Sequence, residues 1–266
     1  MTSPAKSRID LLLVERGLVS SRERARALIL AGRVLVKEQK IDKPGATVAA
    51  DAPVRLLGED QPFVSRGGLK LAGALEHFQI NVTDRACLDV GASTGGFTDC
   101  LLQSGAVHVT AVDTGFGQIA MKLRTDPRVR LLERTNARFL APMALAAEAG
   151  FPDLTLLVMD VSFISATLLV GPVIAAAPAL TEAVILVKPQ FEAGRGNVGK
   201  GGIVRDPEAH QLAIDRVADS VRSLGWQVVE TIPSPITGAE GNREFLLYAR
   251  QPAPLSEPDA ATDPVH

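Results

Sequence analysis

Hydrophobic positions along the chain fall into three regimes. Between Lys6 and Gly58, Ile9, Leu12, Leu13 and Leu18 keep a helical spacing, and Gly17 stands where a helix end takes a left-handed residue. Ser20 or Ser21 can cap a second helix that runs to Ala31 and stops at Gly32. Val34 and Val36 alternate with Arg33, Leu35 and Lys37 in a short strand. A turn near Gln39–Lys40 and another at Lys43–Pro44–Gly45 separate further short strands, the last ending in Val54–Leu57.

From Glu59 to Arg250, short apolar runs alternate with helical patterns, which predicts an α/β body with a mostly parallel sheet. A helix is expected over Leu69–Phe78. Strands are expected at Cys87–Gly91, Val107–Val112, Val129–Leu132, Leu154–Met159 and Ala183–Val187, with a helix opening at Phe97–Leu102. A long helix over Pro207–Leu224 precedes a strand pair, Trp226–Thr231 and Phe245–Ala249, and the last strand would lie antiparallel. Gln251–His266 carries four prolines and three acidic residues with little apolar bulk, and reads as a disordered tail. The expected organisation is a small α+β head at 1–59, an α/β body at 60–250 joined through a linker at 60–68, and the tail at 251–266.

Composition narrows the function. With 46% hydrophobic and 22% charged residues in 266, the chain has enough apolar surface for a core, and wholesale disorder is excluded. Aromatic residues make up only 4%, so a surface built mainly of base-stacking rings is not available. Cys87 and Cys100 sit in apolar runs and suggest no disulfide framework, which points to a reducing cytoplasm. Charges stand where a secretory apolar region would lie, and the most apolar stretch, Leu168–Val187, is broken by Gly171, Pro172, Pro178 and Glu182. An integral membrane protein is therefore not expected. The net charge of −2 hides an asymmetry: residues 1–59 hold eleven Lys or Arg against seven Asp or Glu, and the rest of the chain is net acidic. Arg22, Arg24, Arg26, Arg33 and Lys37 cluster within sixteen positions, with Arg22 and Arg26 four apart on one helix face. A charge run is most often a solvated face. Here the density of cations on a basic head favours a polyanion, and a nucleic acid above others.

The body carries a cofactor loop. Leu88-Asp89-Val90-Gly91 leads through Ser93, Thr94, Gly95 and Gly96 to Phe97, a strand, a glycine turn and a helix start. Such a turn lets a ligand approach the backbone and the helix N-terminus. The spacing is not the dinucleotide fingerprint. Asp89 would repel a pyrophosphate and attract a cationic ligand bearing an ammonium and a sulfonium. Asp113, ending the second strand, can accept from ribose hydroxyls, and Asn136, after the third, can meet an adenine edge. Three polar groups at successive strand ends favour S-adenosylmethionine over a plain tight turn. A later run, Gly194 to Lys200, imitates a phosphate loop, but Gly201 stands where Ser or Thr should be, so it reads as a mobile lid.

Four further residues stand out. Lys70 follows Ser65-Arg66-Gly67-Gly68, Asp160 ends one apolar strand, Lys188 ends the next, and Glu244 immediately precedes the last. Strand carboxyl ends face the ligand crevice of an open α/β sheet, so Asp160 and Lys188 are expected in one cleft. Taken singly, each is more often a solvated loop residue or half of a structural ion pair. Histidines are scattered and neither cysteine has a partner at ligand spacing, so no metal is expected.

These strings carry two resemblances. Arg8-Ile9-Asp10, Gly17-Leu18, the run from Ser21 to Val36, and Lys43-Pro44-Gly45 resemble the small RNA-binding domain named after ribosomal protein S-four, the αL motif. The resemblance implies that Arg8, Arg22, Arg24, Arg26, Arg33 and Lys37 meet structured RNA; the strand turn departs from it, with Lys37-Glu38-Gln39 replacing asparagine-glycine. Lys70, Asp160, Lys188 and Glu244 resemble the Lys-Asp-Lys-Glu tetrad of FtsJ-type ribose 2′-O-methyltransferases. Head and body together resemble the TlyA family, also called hemolysin A. That implies a Rossmann-like methyltransferase sheet, S-adenosylmethionine as cofactor, and methylation of cytidine ribose in ribosomal RNA of one or both subunits. In such a site Lys188 would be the base, oriented by Asp160, with Lys70 and Glu244 positioning the ribose. Two other readings are a membrane-active cytolysin, which needs a spanning or strongly amphipathic helix, and an inactive RNA-binding assembly factor. No protein partner can be inferred.

Overall fold

The computed structural model describes residues 6–19, 21–57, 62–238 and 240–252. Ser20, the alternative cap, residues 58–61 and most of the expected tail, from 253 on, lie outside the described residues. The chain divides into two compact units, Met1–Gln61 and Pro62–His266.

In the first unit, β1 (Lys6–Arg8) leads into α1 (Ile9–Glu15) and α2 (Arg22–Leu30). Strands β2 (Val34–Val36), β3 (Gln39–Ile41), β4 (Thr47–Ala49) and β5 (Val54–Leu56) follow. The sheet order is β3-β2-β5, and β1 pairs separately and antiparallel with β4. Ser21 caps α2 by accepting from the Arg24 amide at 3.2 Å. Ile9, Leu13, Ala25, Ile29 and Val34 are fully buried between the helices and the sheet. The hairpin turn lies at Lys37–Glu38, not at Gln39–Lys40, which belong to β3. Both turn residues hold left-handed backbone, φ 50° and 62°, as a two-residue turn that follows strand twist demands. A bidentate Arg55–Glu38 pair, 3.2 and 2.6 Å, ties the turn to β5.

The second unit opens with α3 (Gly67–His77), so Gly67 and Gly68, expected in the linker, are helical. There follow β6 (Ala86–Val90), α4 (Gly96–Gln103), β7 (His108–Val112), α5 (Met121–Arg124), β8 (Val129–Leu132) and β9 (Leu154–Met159). Then come α6 (Thr167–Ala176), β10 (Glu182–Val187), α7 (Pro189–Glu192), α8 (Pro207–Arg222), β11 (Gln227–Pro233) and β12 (Phe245–Arg250). The seven-stranded order is β11-β12-β10-β9-β6-β7-β8. Five strands are parallel, and β12 is antiparallel to both its neighbours. Because side chains alternate, Leu88, Leu157 and Ile185 feed one apolar layer and Cys87, Leu156 and Val184 the other. The chain leaves β6 toward β7 and β8, then returns to β9 and β10 on the other side, which puts the topological switch between β6 and β9. The apolar stretch broken by Gly171 and Pro172 proves to be α6 followed by β10. No described helix is long and apolar enough to cross a membrane.

Candidate active site

Two adjoining cavities open at the switch. The larger, about 520 Å³, is lined by Ser93, Asp113, Asn136 and Phe163 among others. The smaller, about 230 Å³, is lined by Arg66, Lys70, Thr94, Phe97 and Lys188 among others. Gly91, Ser93, Asp160 and Ser162 line both.

The loop after β6 makes the shared wall. Gly91 has φ 87°, and a Cβ there would lie 2.3 Å from the Asp160 carbonyl oxygen, so only glycine lets the loop pass the end of β9. The Ser93 amide donates to Asp113 Oδ2 at 2.7 Å and the Gly115 amide to its Oδ1 at 2.6 Å, which fixes the Asp113 carboxylate beside the larger cavity. Asn136 lines the same cavity, its Oδ1 accepting from the Arg138 amide at 3.0 Å. Thr94, Gly96 and Phe97 border the smaller cavity, whereas Gly95 packs against Leu123 and lines neither.

Asp89 departs from expectation. It shares a strand face with Cys87, so it points into the apolar layer under α4, is fully buried, and lines neither cavity. Thr98 Oγ1 donates to its Oδ2 at 2.6 Å, and among the described residues Oδ1 has no hydrogen-bond partner. Burial pushes its carboxyl up to about 7 against the lowering hydrogen bond from Thr98.

The four candidate reactive residues come together as two ion pairs. Lys188 Nζ lies 2.6 Å from Asp160 Oδ1 and donates to Ser162 Oγ at 2.8 Å. Lys70 Nζ donates to Glu244 Oε2 at 2.5 Å. Lys70 and Lys188 are each 8% exposed and Glu244 4%. Lys70, Asp160 and Lys188 line the smaller cavity, and Glu244 is joined to it through Lys70. Register explains the meeting: Val187 pairs with Phe245, so Lys188 and Glu244 flank the same end of β10 and β12. Gly238 leaves room for Glu244, since a Cβ there would stand 2.5 Å from Oε1.

In the first unit, Arg8 donates to both oxygens of Asp10 at 3.0 Å, and Arg22 to Oδ2 at 2.9 Å. Asp10 is fully buried, while both arginine side chains stay half-exposed. Their hydrogen bonds, Arg8 foremost, hold the Asp10 carboxyl down at about 2. Arg26 and Lys37 are exposed, and Arg33 Nε donates to the Leu57 carbonyl at 2.8 Å.

A family model described as FtsJ-like methyltransferase matches residues 63–251, and one described as S4 domain matches 7–54. Bacillus subtilis YqxC is 46% identical over 252 residues, covering 95% of this chain and 88% of the relative. The Mycobacterium tuberculosis 16S/23S rRNA (cytidine-2′-O)-methyltransferase TlyA is 45% identical over 246 residues, covering 92% and 90%. The chain is an FtsJ-like methyltransferase of the TlyA family. A solved Streptococcus thermophilus protein that carries a hemolysin label matches with a TM-score of 0.69 at 40% identity, covering 94% of this chain and 90% of that one.

Several supports of this TlyA-family site escape sequence reasoning. Asp99 accepts the Val64 amide at 2.8 Å and pairs with Lys122 at 2.9 Å, which ties the segment before α3 to α4. Glu192 accepts the Ala166 amide at 2.8 Å and the Ser165 hydroxyl at 2.5 Å, capping α6 from another element; burial raises its carboxyl. Asn242 holds the Val204 amide and the Gly202 carbonyl, both at 2.9 Å. The chain just past the run from Gly194 to Lys200 is thus anchored at Gly202, and among the described side chains of that run none lines either cavity. Arg66, at the rim of the smaller cavity, donates to the Thr237 carbonyl at 3.0 Å. Only long-range packing reveals these partners, apart from Glu192, which sits in the same short motif as Lys188. Among the described residues, no three His, Cys, Asp or Glu side chains are placed to hold a metal.

Proposed function

We propose that this protein is an S-adenosylmethionine-dependent ribose 2′-O-methyltransferase acting on cytidine in ribosomal RNA. The observation that carries this reading is the junction of a cavity of cofactor size with a smaller one holding Lys188, Asp160 and Lys70. The larger cavity suits the cofactor: Asp113 for ribose hydroxyls, Asn136 for an adenine edge, and the carboxylates of Asp113 and Asp160 for a cationic ligand. Asp89 lies buried beneath the loop and touches neither cavity, so it supports the site only through the fold. When bound, S-adenosylmethionine supplies an electrophilic methyl group.

The chain's own residues do the rest. Lys188 takes the proton of the 2′-hydroxyl, and Asp160 holds Lys188 in place and stabilises the ammonium that forms. Lys70, fixed by Glu244, and Arg66 at the rim meet the ribose and its phosphate. Holding the hydroxyl oxygen in line with the methyl is worth up to roughly 7–11 kcal/mol of the barrier. Phe163 is 92% exposed at the mouth of the larger cavity, with its ring centroid 5.6 Å from that of Phe191, and offers a face for the base. The basic head docks structured RNA, and ribosomal subunits in the cytoplasm are the partners.

Purified protein is incubated with labelled S-adenosylmethionine and, separately, small and large subunits lacking the modification. Label in alkali-resistant ribose of either RNA is expected and identifies the subunit. Cofactor binding without label in either RNA would overturn the ribosomal assignment, and absence of cofactor binding would overturn the enzyme.

A further inference from the structure

We propose that Ser162 is a positioning residue that aims the Lys188 amine at the 2′-hydroxyl. The proposal rests on the methyltransfer reading above. Among the described residues, the bond from Nζ to Ser162 Oγ at 2.8 Å is the one directed hydrogen bond that Lys188 makes. Asp160 Oδ1 lies at 2.6 Å but off hydrogen-bond geometry, so that charge contact keeps one N–H on its side without deciding which of the two remaining positions the lone pair takes. Ser162 sits on the wall shared by both cavities, where a methyl group and a ribose oxygen must meet.

The chemistry of the amine gives Ser162 its task. A neutral lysine presents two N–H donors and one lone pair on nitrogen. The Asp160 carboxylate repels the lone pair and keeps one N–H turned toward itself. Ser162 Oγ takes the second N–H. The lone pair is left the remaining direction, toward the cavity that Lys188 lines. As the ribose oxygen bonds to the methyl carbon and the methyl–sulfur bond breaks, the hydroxyl proton passes to that lone pair, and the ammonium later releases it to solvent. Without Ser162, the amine rotates about its stem, and the lone pair is aimed correctly for only part of the time.

The test compares the full-length protein with Ser162→Ala and Ser162→Thr in steady-state methylation of the ribosomal subunit that accepts label, across pH. Ser162→Ala is expected to lower kcat by about 10- to 100-fold with KM for RNA changed less than threefold. Its pH–rate profile should move toward lower pH, because an acceptor that favours the ammonium has been removed. Ser162→Thr, which keeps the hydroxyl, should restore most of kcat and the original profile. Cofactor affinity, measured in parallel by calorimetry, shows that the variants are folded. Wild-type kcat and an unmoved profile in Ser162→Ala would overturn the proposal, as would a loss that Ser162→Thr does not repair. Failure of the wild type to label any RNA strikes the methyltransfer reading instead, so the two failures are distinct.

Discussion

Lys70 and Glu244, 174 positions apart in sequence, meet at 2.5 Å with side chains only 10% and 3% exposed. The contact clamps α3 to the start of β12 and carries the wall of the smaller cavity. Breaking one partner leaves the other charge buried and uncompensated, which costs about 3–5 kcal/mol. Lys70→Ala is therefore expected to lower the urea midpoint strongly. The double variant Lys70→Met with Glu244→Gln should recover most of that loss, since neither charge remains, yet stay inactive. Equal instability in the single and double variants would show that the pair matters for packing rather than for charge.

Lys188 and Asp160 separate chemistry from binding. Lys188→Ala removes the proposed base but none of the groups that fix Asp113 or Asn136 beside the larger cavity. Methyl transfer should fall by at least about 100-fold, with cofactor affinity within a fewfold of wild type. Asp160→Ala should match it in rate, with a somewhat larger effect on the cofactor because Asp160 lines both cavities. Calorimetry with the cofactor and a filter assay with labelled RNA check the split.

Asp89 ties stability to pH. Its folded carboxyl sits near 7 against an ordinary 3.8, so the folded state binds a proton that the unfolded chain releases. The resulting penalty is absent below about pH 4, grows as pH rises, and levels off above 7. Its full size is on the order of 4 kcal/mol. Asp89→Asn, neutral and similar in shape, should come close to wild type in urea midpoint at about pH 3.5 and exceed it at about pH 8. A constant difference between the two proteins across that range would remove Asp89 from the account.

How legible the site was depends on what kind of neighbour each residue has. Asp160 and Lys188 could be placed together because both end parallel strands, and the end of a strand is visible as the end of an apolar run. Lys70 and Glu244 could be singled out, but their mutual bond depends on the register of β12 against β10 and on the route of α3, which no local pattern encodes. Asp89 departs from the strand-end expectation for a local reason: the period of two puts it on the face of Cys87, inside the layer under α4, so strand position alone gives no access to the crevice. The Lys37–Glu38 turn lies two residues before the expected one because neither residue signals left-handed backbone; the Arg55 that pairs with Glu38 comes from β5. Ser162, Asp99 and Asn242 are polar residues whose partners named above lie 23 to 40 positions away.

Asp10 organises the basic head, and its removal separates positioning from net charge. The buried carboxylate holds Arg8 and Arg22 side by side while leaving each half-exposed. Asp10→Asn adds one unit of positive charge, which by itself should strengthen attraction to any polyanion. It also weakens the bonds that fix the two guanidiniums, which should lower affinity for a structured RNA that needs both in register. The expected result is a loss of about tenfold against a ribosomal RNA fragment that binds wild type, with binding to an unstructured RNA of equal length unchanged or tighter. Deleting residues 1–59 should weaken both and flatten the salt dependence. The same carboxyl supplies an acid signature: held near 2 against 3.8, it contributes stability above pH 4 that is lost as pH falls toward 2, and Asp10→Asn should abolish that loss. Filter binding at three salt concentrations, together with urea melts at pH 3 and 6, checks each part. Equal loss on both RNAs would mean that Asp10 acts through folding of the head and not through aim of its arginines.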